Sequence, residues 1–158
     1  MKILLILPIF FCSLAFGEDF NLICEGERKV GNLSEKQFNV TNFESVLLKI
    51  NKNSMDYIGL NSGRSYFLSN REYTAPKRPP HEDIKITEHY EYTPKTIKAS
   101  QTIADTGDSE ESSISLFSLD VNLLTGELNE TEIIRNKKTN VKSMSNNFQA
   151  LCKRDRSY

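Results

Sequence analysis

Asp83-Ile84-Lys85-Ile86-Thr87-Glu88-His89-Tyr90-Glu91-Tyr92-Thr93 alternates with a period of two. Successive side chains of an extended chain point to opposite sides, so Ile84, Ile86, Tyr90 and Tyr92 share one face while Lys85, Thr87, His89 and Glu91 share the other. This is a strand buried on one face, with Glu88 as a charged intruder among the apolar positions. The pattern recurs outward from it. Ile97, Ala99 and Ile103 continue it beyond Pro94, and Phe43 to Ile50 is a mixed apolar run. Met55 to Leu60 and Arg64 to Ser69 flank Asn61-Ser62-Gly63, a hairpin turn in which glycine supplies positive φ. Ser113 to Val121 and Gly126 to Ile134 bracket Asn122 to Gly126 as a second hairpin. Apolar stripes at helical spacing are missing, and roughly seven to nine strands of this kind predict a mainly β fold, an antiparallel β-sandwich or small β-barrel.

Three stretches interrupt the alternation. Thr74 to Pro80 carries three prolines and reads as an extended surface connection, since proline cannot donate to a central ladder. Asp105 to Ser113 is a polar, acidic loop around Gly107, and Gly31 to Asn42 is polar enough for a short helix or a long loop.

The two ends of the chain set its compartment. Lys2 precedes the nine largely apolar residues Ile3 to Phe11, and Ala15-Phe16-Gly17 follows before Glu18 and Asp19 end the apolar stretch. A short basic start, an apolar segment and small residues at a cleavage position describe an export signal, residues 1–17, cut between Gly17 and Glu18. The apolar segment is too short to cross about 30 Å of hydrocarbon, so no stable membrane insertion is expected after cleavage. The chain from 18 to 158 is expected to form one domain. Removal of the signal takes Cys12 with it and leaves Cys24 and Cys152, an even pair that an oxidising compartment would join. Phe20, Leu22 and Cys24 share one strand face, as do Phe148, Ala150 and Cys152, so the bond would set the first and last strands side by side or opposite each other across the core. The protein is expected in a bacterial periplasm or outside the cell.

Twenty basic against 21 acidic residues among 158 give a net charge of −1, which offers a nucleic acid no electrostatic attraction. Catalytic groups are sparse: two histidines, no Gly-x-Ser-x-Gly and no phosphate-cradling glycine loop. The expectation is a non-enzyme that acts by binding or structural interaction, without a cofactor, with an envelope or secreted protein as its partner. A periplasmic metal site is an alternative through His81 and His89 or through Asp105, Asp108, Glu110 and Glu111. Eight residues of strand, however, separate the histidines by about 26 Å, and no metal ligand set is assigned. Tyr57, Tyr66, Phe67, Tyr73, Tyr90 and Tyr92 would serve either as core or as an exposed contact face. Asn32, Asn39 and Asn129 begin N-x-[ST] sequons, which matter only in a eukaryotic secretory route.

Two resemblances attach to these residues. Cys24-Glu25-Gly26, Leu119-Asp120 through Thr125-Gly126-Glu127-Leu128, and Ala150-Leu151-Cys152-Lys153 resemble the corresponding features of a loose group of small exported bacterial proteins of unknown function. That likeness implies a periplasmic β-rich domain and no activity. Cys24 to Gly26, Ser62-Gly63-Arg64-Ser65-Tyr66 and Cys152 are similar to the membrane-bound lysozyme inhibitors of the C-type class. In that family the serine-containing loop enters the lysozyme active site, which would make Ser62, Gly63, Arg64 and Tyr66 an inhibitor loop. The chain departs from that family in its length between Tyr66 and Cys152, its lack of tryptophan and its lack of a lipidated start.

Overall fold

The fold was obtained as a computed structural model that describes residues 19–32, 37–76, 83–107 and 112–155, with the side chains at 32 and 37–39 excepted. Ten strands run in chain order: β1 Phe20–Asn32, β2 Gln37–Ile50, β3 Ser54–Gly59, β4 Ser65–Ser69, β5 Arg71–Ala75, β6 Ile84–Tyr92, β7 Thr96–Asp105, β8 Ser113–Asn122, β9 Glu127–Asn136 and β10 Lys142–Arg154. All belong to one antiparallel sheet in the order β4-β3-β2-β1-β10-β9-β8-β7-β6-β5, so every hydrogen-bonded pair of strands is consecutive in the chain except β1 with β10. The sheet curls into a nearly closed barrel. Of the two architectures expected, the barrel forms because a meander this long can bury its apolar face against itself and leave few edges exposed.

Alternation sets the wall as expected. β6 turns Ile86, Glu88 and Tyr90 inward and leaves Lys85, Thr87, His89 and Glu91 exposed. Leu48, Ile50, Met55, Tyr57, Leu68, Ile97, Val121, Leu128 and Phe148 fill the core at 2 % exposure or less. Tyr57, Tyr66 and Phe117 meet there as a ring cluster, with Tyr66 stacked on Phe117 at 4.7 Å between centroids. Most of the aromatic set is therefore interior, and only Phe67 and Tyr73 remain exposed. Gly63 takes φ +68° in the β3–β4 turn, as its sequence context requires.

Cys24 and Cys152 are bonded, and they face each other in register on β1 and β10. Side by side is thus the correct alternative. The polar stretch from Gly31 is not a helix or loop where it is described: Gly31 and Asn32 extend β1, and residues 37–42 extend β2, with a bulge where Val30 pairs Val40 and Gly31 pairs Phe38. Thr74 and Ala75 belong to β5, a strand that the neighbouring prolines conceal in the sequence. Residues 77–80 of that connection lie outside the described residues.

β4 and β5 are the two edges of the sheet and follow each other directly in the chain. Side chains join them in place of a backbone ladder. The Asn70 amide accepts from Tyr90 N–H at 2.8 Å and donates to Tyr90 C=O at 2.9 Å, imitating a strand residue against β6. Asn61 does the same to β2, accepting from Ser45 N–H and donating to Phe43 C=O, both at 3.2 Å. Arg71 crosses the seam between the Phe67 and Tyr73 rings and holds the buried Glu88 carboxylate at 2.5 and 3.0 Å, while Gln101 donates to the same carboxylate at 3.0 Å. The charged intruder on β6 is the inner anchor of that latch.

Candidate functional site

Three charged residues sit in phase with the core on other strands. Arg28 follows Leu22 and Cys24 on β1, Glu44 precedes Val46 and Leu48 on β2, and Glu130 follows Leu128 on β9; each is buried. Buried charge is tolerated where it is paired and hydrogen-bonded. Arg28 satisfies both conditions. Its Nε donates to Glu44 Oε2, its Nη1 to Glu130 Oε1 at 2.6 Å, and its Nη2 to Glu130 Oε2 at 3.1 Å and Tyr57 Oη at 2.8 Å. The Tyr57 hydroxyl donates to Glu130 Oε2 at 2.6 Å, so the network ties β3 to β9 through the barrel interior. The guanidinium lies 4.7 Å above the Phe148 ring.

The protonation states follow from this geometry. Burial works against the Arg28 charge, but the hydrogen bonds to Glu130 and Glu44 outweigh it and hold Arg28 protonated above its ordinary value. Burial, reinforced by the Glu130 charge, pushes the Tyr57 phenol above its ordinary value, and burial does the same to Tyr66 and Tyr90. A raised folded-state value means that the native protein keeps protons which the unfolded chain loses near pH 10. These tyrosines therefore contribute stability that is fully present below about pH 10 and is lost as pH rises further. Urea midpoints measured from pH 8 to 11.5 are expected to fall only above about pH 10. The fall should be shallower in Tyr90→Phe, and an equal fall in that variant would show that Tyr90 titrates normally.

Above the network is a pocket of about 410 Å³ lined by Arg28, Val30, Asn42, Phe43, Glu44, Asn61, Ser62 and Arg64. It exists because β2 pairs with β3 only from Val46 to Ile50, leaving the inner face of the longer β1–β2 hairpin uncovered beside the β3–β4 turn. The Ser62 hydroxyl donates to Glu44 Oε1, and Arg64 Nη1 donates to Glu132 Oε2 at 3.1 Å. Asn146 Nδ2 donates to Glu132 Oε2 at 2.8 Å, whereas the buried Asn146 Oδ1 has no hydrogen-bond partner among the described residues. Ser62 and Arg64 thus come together at the pocket with Arg28 and Glu44, while Gly63 sits in the turn between them without lining it and Tyr66 turns into the ring cluster. Sequence reading missed Arg28, Glu44 and Glu130. The signal was present in the same form as at Glu88, a charge in the phase of a buried face.

The other candidates lie elsewhere. His89 is exposed on the outer wall, in a shallow groove of about 370 Å³ with Lys98, Asp120 and Asn129. Asp105 is buried at the end of β7, where its Oδ2 accepts from the Ser113 amide at 2.8 Å and hydroxyl at 3.3 Å. It ties the end of β7 to the start of β8. His81, Asp108, Glu110, Glu111 and the Gly17–Glu18 cleavage position lie outside the described residues. Among the described residues, no group of three or more His, Cys, Asp or Glu is placed to hold a metal ion, and no helix is long and apolar enough to cross a membrane. No family model, no curated protein and no solved structure matches the chain.

Proposed function

We propose that this is an exported, non-catalytic binding protein that uses the pocket between the β1–β2 hairpin and the β3–β4 turn. The observation that carries the reading is the pocket itself, seated on an ion-paired floor and opening beside the exposed Phe43 ring. Recognition sites commonly combine apolar walls with a few polar groups whose positions are already fixed. Arg28, Glu44 and Ser62 are fixed by one another, and Arg64 by Glu132. The disulfide suits an oxidising compartment, which supports a periplasmic or extracellular location. Native mass spectrometry of protein isolated from its own host tests the proposal. The expected result is a bound species on the wild type that is lost in Arg64→Ala and Phe43→Ala; a bare mass in all three, with no co-purifying protein, would refute it.

The exposed tip Asn61-Ser62-Gly63 beside the pocket favours a second reading, inhibition of a lysozyme or another hydrolase. To reach an enzyme's active site, the Ser62 hydroxyl and the Arg64 guanidinium would have to leave Glu44 and Glu132. Turnover by a C-type lysozyme should then be slowed by the wild type and restored when Ser62→Ala or Arg64→Ala replaces it. Turnover unaffected by the wild type would end that reading.

A further inference from the structure

β2 pairs with β1 from Gln37 to Ile50 but with β3 only from Val46 to Ile50. Past that point the β3–β4 turn extends the ladder by a short step. Leu60 N–H donates to the Ser45 C=O, and the Asn61 side chain serves Ser45 N–H and Phe43 C=O. The backbone groups of successive strand residues point to opposite neighbours, so Ser45, Phe43 and Thr41 all face this side. Beyond Asn61, the Phe43 N–H and both backbone groups of Thr41 have no partner among the described residues.

Sheet edges are normally blunted by charge or proline. β5 follows that rule: Arg71 is latched to Glu88, Glu72 is bonded to Lys85, and Pro76 follows the strand. Val40-Thr41-Asn42-Phe43 breaks it. The stretch carries neither charge nor proline, and all four residues are exposed, Val40 at 56 % and Phe43 at 66 %. Thr41 and Phe43 lie on the outer face of this edge, while Val40, Asn42 and Glu44 lie on the inner face with the pocket.

The open rungs name their occupant, since another extended backbone presents N–H and C=O groups at the spacing of a strand. A second copy of β2 does not fit. Pairing Thr41 with itself across a two-fold axis would lay the start of the other β2 against Ser45, a place that Leu60 and Asn61 already fill. A single peptide strand can stop short of the turn. The charges of the pocket floor are paired with one another, Arg28 with Glu44 and Glu130, and Arg64 with Glu132. What the edge offers to incoming side chains is therefore apolar: Phe43 outside, and Val40 beside its partner Val30 inside.

We propose that an extended, apolar segment of a partner protein adds to β2 as a strand beside Thr41 and Phe43, in line with β3, and turns every second side chain into the pocket. This rests on the pocket being the binding site and adds the class of ligand and the way it is held.

Random peptides displayed on phage and selected on the disulfide-bonded protein test it. Selected peptides should be apolar at alternate positions. Their affinity should fall at least about tenfold in Thr41→Pro, which lacks the edge N–H, and persist in Thr41→Ala. Neither variant removes a hydrogen bond of the free fold, so both should keep the wild-type thermal midpoint. Methyl groups on alternate backbone amides of the peptide should abolish binding, a readout that needs no variant. Equal binding by Thr41→Pro and wild type, methylation without effect, or a selection that yields no peptide would overturn the strand addition. Peptide binding lost in Arg64→Ala but kept in Thr41→Pro would uphold the pocket and remove the strand alone. Amide exchange at Thr41 and Phe43 that slows with protein concentration, without peptide, would place a second copy on the edge and overturn the proposal.

Discussion

Arg28→Ala is expected to lower the stability of the fold by about 3 to 5 kcal/mol, the cost of removing one partner from a buried ion pair and leaving the other uncompensated. Arg28 and Glu44 have side-chain exposures of 4 % each, and Glu130 has 0 %. Without the guanidinium, two carboxylates face each other in the barrel interior with Tyr57 and Ser62 as uncharged donors, and Arg64, partly exposed and 3.9 Å from Glu130, offsets their charge only in part. The thermal midpoint should fall on the order of 10 °C. Glu130→Gln should cost less, because the Arg28–Glu44 pair survives it. Combining Arg28→Ala with Glu44→Gln and Glu130→Gln should recover part of the loss, since the remaining groups are then neutral. Equal midpoints for Arg28→Ala and wild type would mean that the carboxylates take up protons or water at no measurable cost. The network would then carry no structural role.

Breaking the disulfide is expected to have an effect of similar size. The bond joins residues separated by 128 positions, and the loop-closure model assigns about 5 kcal/mol to a loop of that length, with native disulfides commonly worth about 2 to 5 kcal/mol. Cys24→Ser and Cys152→Ser should each shift the urea midpoint down by an equivalent amount. The double variant should match the singles, since either change alone opens the loop. The eleven registered pairs between β1 and β10 remain in all three variants, so the native sheet should keep its form. A midpoint unchanged by reductant would show that the pairing alone closes the barrel.

The wall of the barrel was legible in the sequence and its furnishing was not. Period two at Ile84 to Tyr92 located β6 and oriented it, and matching phases of Cys24 and Cys152 with their apolar neighbours anticipated the bond. β5 escaped because five exposed or nearly exposed residues beside prolines carry no alternation, being held by pairing to β6 alone. The long β1–β2 hairpin escaped for a related reason. Where β2 outruns β3, its residues lack a partner on that side and need no apolar pattern. Ser62 was found in the turn and Arg64 at the start of the strand after it, but their partners were not. Glu44 lies 18 positions away and is brought near by the pairing of β2 with β3, whereas Glu132 lies 68 positions away and only closure of the barrel brings it near. Charges in the phase of a buried face were the readable clue. Glu88 shows the principle, since an ion there is tolerated only because Arg71 and Gln101 meet it.

The meeting of β1 with β10 also fixes an order of events in biosynthesis. Of these ten strands β1 is made before all the others and β10 after them, so a growing chain can build β1 to β4 and then β5 to β9 as successive local meanders. Throughout that time β1 presents one open edge and Cys24 a free thiol. Chains elongate at about 5 to 20 residues per second, so the open edge persists for seconds on every molecule. It is the interval in which an oxidase, a chaperone or another nascent chain has access to the unfinished ring.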